Sequence, residues 1–171
     1  LGVATESLLP GLAASDVDSW KTVNQIWKSG RSVWRDAKTL DFLRVAAPGA
    51  IEKKKPRVAL YRSWISNMDE GWTRWMLEQF GFEYTRLTNP DVLKGALRNR
   101  FDVILFGEMT TNQILRGSQG SSVRPEYRGG IGEDGLRNLK EFMRDGGTVI
   151  TLGNAAQFAI DSLEAPFENI L

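Results

Sequence analysis

Hydrophobic positions change their spacing several times along this chain, and each change marks an element. Trp20, Val23, Ile26 and Trp27 recur at helical spacing, with Ser15 or Asp16 placed to cap a helix and Gly30 to end it. Two short extended pieces follow at 32–35 and 42–45, and residues 36–39 turn between them as a hairpin. The run Pro-Gly-Ala-Ile-Glu-Lys-Lys-Lys-Pro at 48–56 reads as a linker. The organisation expected is therefore a flexible arm over 1–15, small and apolar with Pro10 and Gly11, then a segment at 16–47 of one helix and short strands that packs on or extends the main domain. The main domain occupies 57–171.

Beyond Pro56 the pattern becomes regular. Residues 57–61 have the apolar texture of a buried strand. Residues 69–80 form an amphipathic helix with Trp72, Trp75, Met76 and Phe80 on one stripe, ended by Gly81. A strand at 83–87 follows, and Asn89-Pro90 opens a short helix through Leu97. The apolar run at 101–106 is the third strand. A long Gly-, Ser- and Thr-rich stretch covers 107–132. A helix at 133–145 turns Leu136, Leu139, Phe142 and Met143 inward, and a fourth strand at 148–152 and a helix at 155–163 complete the chain. Alternating strands and helices predict an α/β fold with three α/β/α layers and a mainly parallel sheet, flavodoxin-like in architecture. Right-handed crossovers put the strands in the order second, first, third, fourth.

Composition narrows the chemistry. The 171 residues include no histidine and no cysteine, so thiolate nucleophiles, imidazole bases and ordinary zinc sites are excluded. With 22 basic against 21 acidic side chains, the net charge is +1, which gives no electrostatic case for nucleic acid. Lys53-Lys54-Lys55 reads as a solvated run. No stretch is long and apolar enough to span a membrane. Leu1 opens without an initiator methionine or a signal-peptide pattern, and the chain is expected to be a piece of something longer.

In a doubly wound sheet, ligands bind beyond the carboxyl ends of the strands, where the strand order reverses. Arg62, Ser63 and Trp64 follow the first strand, Glu108 follows the third, and Gly153 and Asn154 follow the fourth. Together they offer a cation, a hydroxyl, a carboxylate, an amide and aromatic surface for a small polar ligand. The alternative is structural, with Arg62 pairing with Glu108 or Asp69 and closing the crevice. Asp69 and Glu70 open a helix, where acids suit the positive end of the dipole. Trp72 and Trp75 have the geometry of a sugar-binding platform, but their spacing with Met76 and Phe80 places them in the core. The glycines at 129–135 precede a helix, yet Glu133 and Asp134 at its start oppose an anion and there is no Gly-Lys-Ser/Thr. That stretch is expected to lay a loop over the sheet edge.

The run from Leu60 to Phe82, Leu-Tyr-Arg-Ser-Trp-Ile-Ser-Asn-Met-Asp-Glu-Gly-Trp-Thr-Arg-Trp and onward, is unusual in composition. Together with Pro-Glu-Tyr-Arg-Gly-Gly-Ile-Gly at 125–132 and Gly-Gly-Thr-Val-Ile at 146–150, it resembles the carboxy-terminal region of bacterial zinc carboxypeptidase-like proteins. In that family a class I glutamine amidotransferase-like domain follows a peptidase domain related to carboxypeptidase A. The resemblance covers 57–171 and, more loosely, 16–47. It implies a secreted or periplasmic parent whose zinc is held by a peptidase domain outside this chain, with no cofactor in the chain itself. It also aligns Leu152-Gly153-Asn154-Ala155-Ala156-Gln157 with the amidotransferase nucleophile turn, where Gly153 takes the cysteine position.

The resulting expectation is a non-catalytic accessory domain, partnered by the parent's peptidase domain or by copies of itself, and not by nucleic acid or membrane. A second reading is a module that binds a small polar, sugar or peptide ligand at the strand ends. A third, a degenerate hydrolase built on Ser63 and Glu108, lacks an apparent general base near neutral pH.

Overall fold

The computed structural model describes residues 12–65 and 67–170. The chain divides into two compact units, Leu1–Lys55 with Leu77–Phe82, and Pro56–Met76 with Glu83–Leu171.

In the first unit, helix α1 (Val17–Lys28) starts at Asp16, whose Oδ1 accepts the Asp18 N–H at 3.0 Å. Strands β1 (Val33–Arg35) and β2 (Phe42–Leu43) form the expected antiparallel hairpin. Asp36 makes its turn, with Oδ1 accepting the N–H groups of Lys38 and Thr39, each at 2.8 Å. These bonds, Thr39 first, hold the Asp36 carboxyl below its ordinary pKa. Val23, Ile26, Val33 and Phe42 make a small core, and Trp20 meets the Phe42 ring edge-on at 4.7 Å.

Two stretches hold structure that the pattern did not predict. The 48–56 stretch carries a strand, β3 (Ile51–Lys53), which pairs antiparallel with β1 and gives the order β2-β1-β3. Its Pro and Lys content suits an edge strand as well as a linker. The arm expected over 1–15 lies outside the described residues up to Gly11. The part described is tied down, since Leu12 and Phe42 exchange two backbone bonds of 2.8 Å.

The second unit has the expected sheet. Strands β4 (Val58–Tyr61), β5 (Tyr84–Leu87), β6 (Val103–Phe106) and β7 (Thr148–Thr151) are all parallel, in the order β5-β4-β6-β7. The helices around it are α2 (Met68–Gln79), α3 (Asn89–Leu93), α4 (Leu97–Arg100), α5 (Thr111–Leu115), α6 (Gly132–Arg144) and α7 (Ala155–Asp161), a three-layer flavodoxin-like arrangement. Ala59, Leu60 and Tyr61 of β4 are all fully buried, as a central parallel strand covered on both faces requires. Tyr61, Ile104, Phe106, Leu139, Phe142 and Phe158 are among the residues of the main core.

The helices depart from their apolar patterns in three places. On α2 the tryptophan stripe expected in the core faces solvent, with Trp72 61%, Trp75 54% and Met76 45% exposed, while Glu70, Thr73 and Leu77 are buried. The inward side of the helix start is set by a close approach: a Cβ at Gly107 would meet Glu70 N and Cα at 3.4 Å. On α6, Leu139 and Phe142 are buried as expected, but Met143 is 36% exposed and Gly135 takes a buried place. The helix expected through Leu97 breaks in two, because Gly95 and Ala96 both have positive φ, 68° and 49°. The 107–132 stretch also contains α5, opened by a Thr110–Gln113 capping box, and a 3-10 turn at Pro125–Tyr127.

At the amino ends of the strands, Asp102 accepts from Arg57 Nε at 3.0 Å and Nη2 at 2.9 Å, and from Arg98. The bond from Arg57 is the main reason its carboxyl lies well below the usual range. This is the framework end of the sheet; the chemistry-bearing residues gather at the other.

Candidate functional site

A crevice of about 610 Å³ opens beyond the carboxyl ends of β4 and β5. Its polar lining comes from three segments: Arg62, Ser63 and Trp64 after β4; Asn67, Glu70 and Arg74 at the start of α2; and Arg86 and Thr88 around the end of β5. The sequence builds this locally. Ser63, only 5% exposed, folds the chain back, its Oγ accepting the Ile65 N–H at 3.1 Å and lying 3.2 Å from the Ile65 carbonyl oxygen. Asn67 then starts α2, its Oδ1 accepting from Asp69 N at 2.8 Å and Glu70 N at 3.3 Å. Trp64 stands as a wall of the crevice, its ring edge-on to Tyr127 at 5.2 Å.

The charges in the crevice are unbalanced. The guanidinium groups of Arg62, Arg74 and Arg86 have no hydrogen bond or ion pair among the described residues. The structure therefore corrects the pairing of Arg62 with Glu108 or Asp69 and leaves the crevice open. Glu70 is 7% exposed, and its Oε1 is buried without a hydrogen-bond partner. Asp69 and Glu70 both lie in the first turn of α2, as expected, but Asp69 is exposed while Glu70 is buried.

Beneath the crevice, Tyr61 donates its hydroxyl to Asn89 Oδ1 at 2.6 Å, and Asn89 Nδ2 donates to the Gly129 carbonyl at 3.0 Å. Burial pushes the Tyr61 phenol up, so it stays a neutral donor. This chain of bonds fastens the Gly-rich stretch to the ends of β4 and β5.

The other expected site residues sit together beside the crevice without lining it, joined to it where Asn67 Nδ2 donates to the Glu108 carbonyl. Glu108 Oε2 accepts the Asn154 backbone N–H at 3.2 Å, and Glu108 Oε1 accepts from the Asn154 side-chain amide. Gly153 has φ +54°, and a Cβ built there would fall on Glu108 Oε2. The carboxylate thus occupies the space into which a side chain at 153 would project, at the start of α7. Among the six expected positions, Arg62, Ser63 and Trp64 line the crevice, while Glu108, Gly153 and Asn154 form a helix-start cluster.

Arg74 and Arg86 were missed by sequence reasoning, and Glu70 was read as an acid suited to the helix start and not as a crevice residue. The spacing of Glu70 and Arg74, four apart on a helix, does place them on one face. Arg86 carried no comparable signal, being one charged residue in an edge strand.

Comparison with protein-family models, curated proteins and solved structures returned no match. Among the described residues, no group of three or more acidic, histidine or cysteine side chains is placed to hold a metal ion. Likewise, no helix there is long and apolar enough to cross a membrane.

Proposed function

We propose that this chain is a non-catalytic ligand-binding module, whose site is the crevice beyond β4 and β5 and whose ligand is a small anion. The observation that carries this is that Arg62, Arg74 and Arg86, none with a hydrogen bond or ion pair among the described residues, all line one concave surface. Arginine presents a planar fork of donors that matches carboxylate and phosphate geometry. Three like charges against a single carboxylate leave an excess that repels itself, and an anionic ligand lowers that cost. The volume lies within the ~300–1,000 Å³ of ordinary small-ligand sites. No nucleophile is assigned, since the Ser63 hydroxyl is engaged with the Ile65 backbone and Glu108 with Asn154.

The test is calorimetric titration of the chain with succinate and with inorganic phosphate, beside the R62A/R74A/R86A variant. Saturable binding to the wild type, weakened by added salt and lost in the variant, is expected. Absence of binding by either anion would refute the reading.

The accessory role keeps one observation in its support, the solvent-facing stripe of Met68, Trp72, Trp75 and Met76 on α2. On this second reading the resemblance to zinc carboxypeptidase-like proteins supplies the partner, a peptidase domain, and with it a secreted or periplasmic setting. Binding of such a domain by the wild type but not by W72A/W75A would support it; equal binding by both would oppose it.

A further inference from the structure

Glu70 is the group in the crevice that an anion leaves unexplained. It is more than nine-tenths buried and lines the crevice, yet no hydrogen bond to its carboxylate exists among the described residues. Arg74 lies one helical turn further along α2, on the same face, and no ion pair joins the two. A carboxylate oxygen withdrawn from water without a donor, as Glu70 Oε1 is, carries a desolvation cost that a ligand bringing a donor or a positive charge relieves. A simple anion brings neither. Its negative charge satisfies the guanidinium groups and is repelled by Glu70.

The site is therefore bipolar, with three cationic side chains and one acidic acceptor lining the same surface. We infer that the ligand is a zwitterionic acid, an amino acid or short peptide with a free amino group and at least two carboxylates. The carboxylates meet Arg62, Arg74 and Arg86, and the ammonium meets Glu70. The charge count sets the balance. Three guanidinium groups against one carboxylate leave the lining with an excess of two positive charges, so the complementary ligand carries more carboxylates than amines. Trp64 and Met109 add apolar surface for the ligand's carbon skeleton. A phosphate ester or a dicarboxylic acid without an amine satisfies only the cationic half.

This rests on the reading of the crevice as an anion site, and the experiment separates the two. The probes are L-alanyl-L-glutamate, its N-acetyl derivative, and succinate, each titrated calorimetrically into the wild-type chain and into E70Q. The inference predicts that acetylation of the amine weakens wild-type binding about tenfold or more, the scale of one charge-assisted hydrogen bond. In E70Q the free and acetylated peptides bind within about twofold of each other, because the acceptor charge that distinguished them is gone. Equal binding of the free and acetylated peptides to the wild type overturns the inference and leaves the anion site standing. Failure of all three probes overturns both. The acetylation comparison needs no variant, so its outcome stands even where E70Q folds poorly.

Discussion

Glu108 Oε2 accepts the Asn154 N–H at 3.2 Å, and the same oxygen lies where a Cβ at Gly153 would project. One carboxylate thus caps α7 and fills the position that the resemblance assigns to a nucleophile. Gly153→Ala meets this carboxylate and also takes a left-handed backbone, which should cost about 1–3 kcal/mol. In an E108A background the alanine should cost less, because the space is then empty. Urea unfolding of the two single variants and the double variant measures this coupling. Strict additivity would contradict the arrangement described.

Tyr61, Asn89 and Gly129 form a buried chain of hydrogen bonds. Tyr61→Phe leaves Asn89 Oδ1 without its donor and should destabilise the second unit by about 1–3 kcal/mol. Its local signature should be faster hydrogen exchange and proteolysis within 118–130, since Asn89 is what holds the Gly129 carbonyl. Unchanged exchange there would mean that the Gly-rich stretch is fixed by other contacts.

Asp102 gives a pH dependence with a defined sign. Its folded pKa is depressed, chiefly by the bond from Arg57, so its contribution is present above the unfolded value near ~3.9 and is lost as pH falls through the folded one. Unfolding titrations below about pH 4 should show this loss in the wild type and a flatter acid limb in D102N. At neutral pH, D102N should be less stable by about 2 kcal/mol, since the carboxylate also accepts the Arg57 backbone N–H at 2.9 Å.

The α2 stripe separates a core reading from a surface one. Trp72 and Trp75 are 61% and 54% exposed and meet edge-on with 6.1 Å between ring centres. Each alanine substitution should therefore change stability by less than about 1 kcal/mol, against roughly 3–5 kcal/mol for a tryptophan lost from a core. Thermal or urea unfolding of W72A and W75A decides between them, and a core-sized loss would contradict the described face of α2.

The sheet was legible because its strands are short apolar runs bounded by Gly and Pro, and because right-handed crossovers leave few strand orders. Helix faces were less legible. On α2, Trp72, Trp75 and Met76 carry the apolar signal, but the burial of Glu70 and Thr73 follows from the close approach at Gly107, a contact with a residue more than thirty positions away. The same tertiary contact explains half of the site. Arg62, Ser63 and Trp64 could be placed at a strand end from local pattern alone. Glu70 was assigned to the helix dipole because nothing local shows a carboxylate turned inward. Glu108 and Asn154 were drawn to the right end of the sheet, yet their mutual bonds keep them at the start of α7, beside the crevice and outside its lining.

The most direct test of the anion-binding crevice is an amide-resolved NMR titration of the chain with succinate. The account predicts saturable shifts concentrated at residues 62–65, 70–74 and 86–88, the segments that line the crevice, and their disappearance in R62A/R74A/R86A. Shifts absent from those segments, or unchanged in the arginine variant, would contradict it.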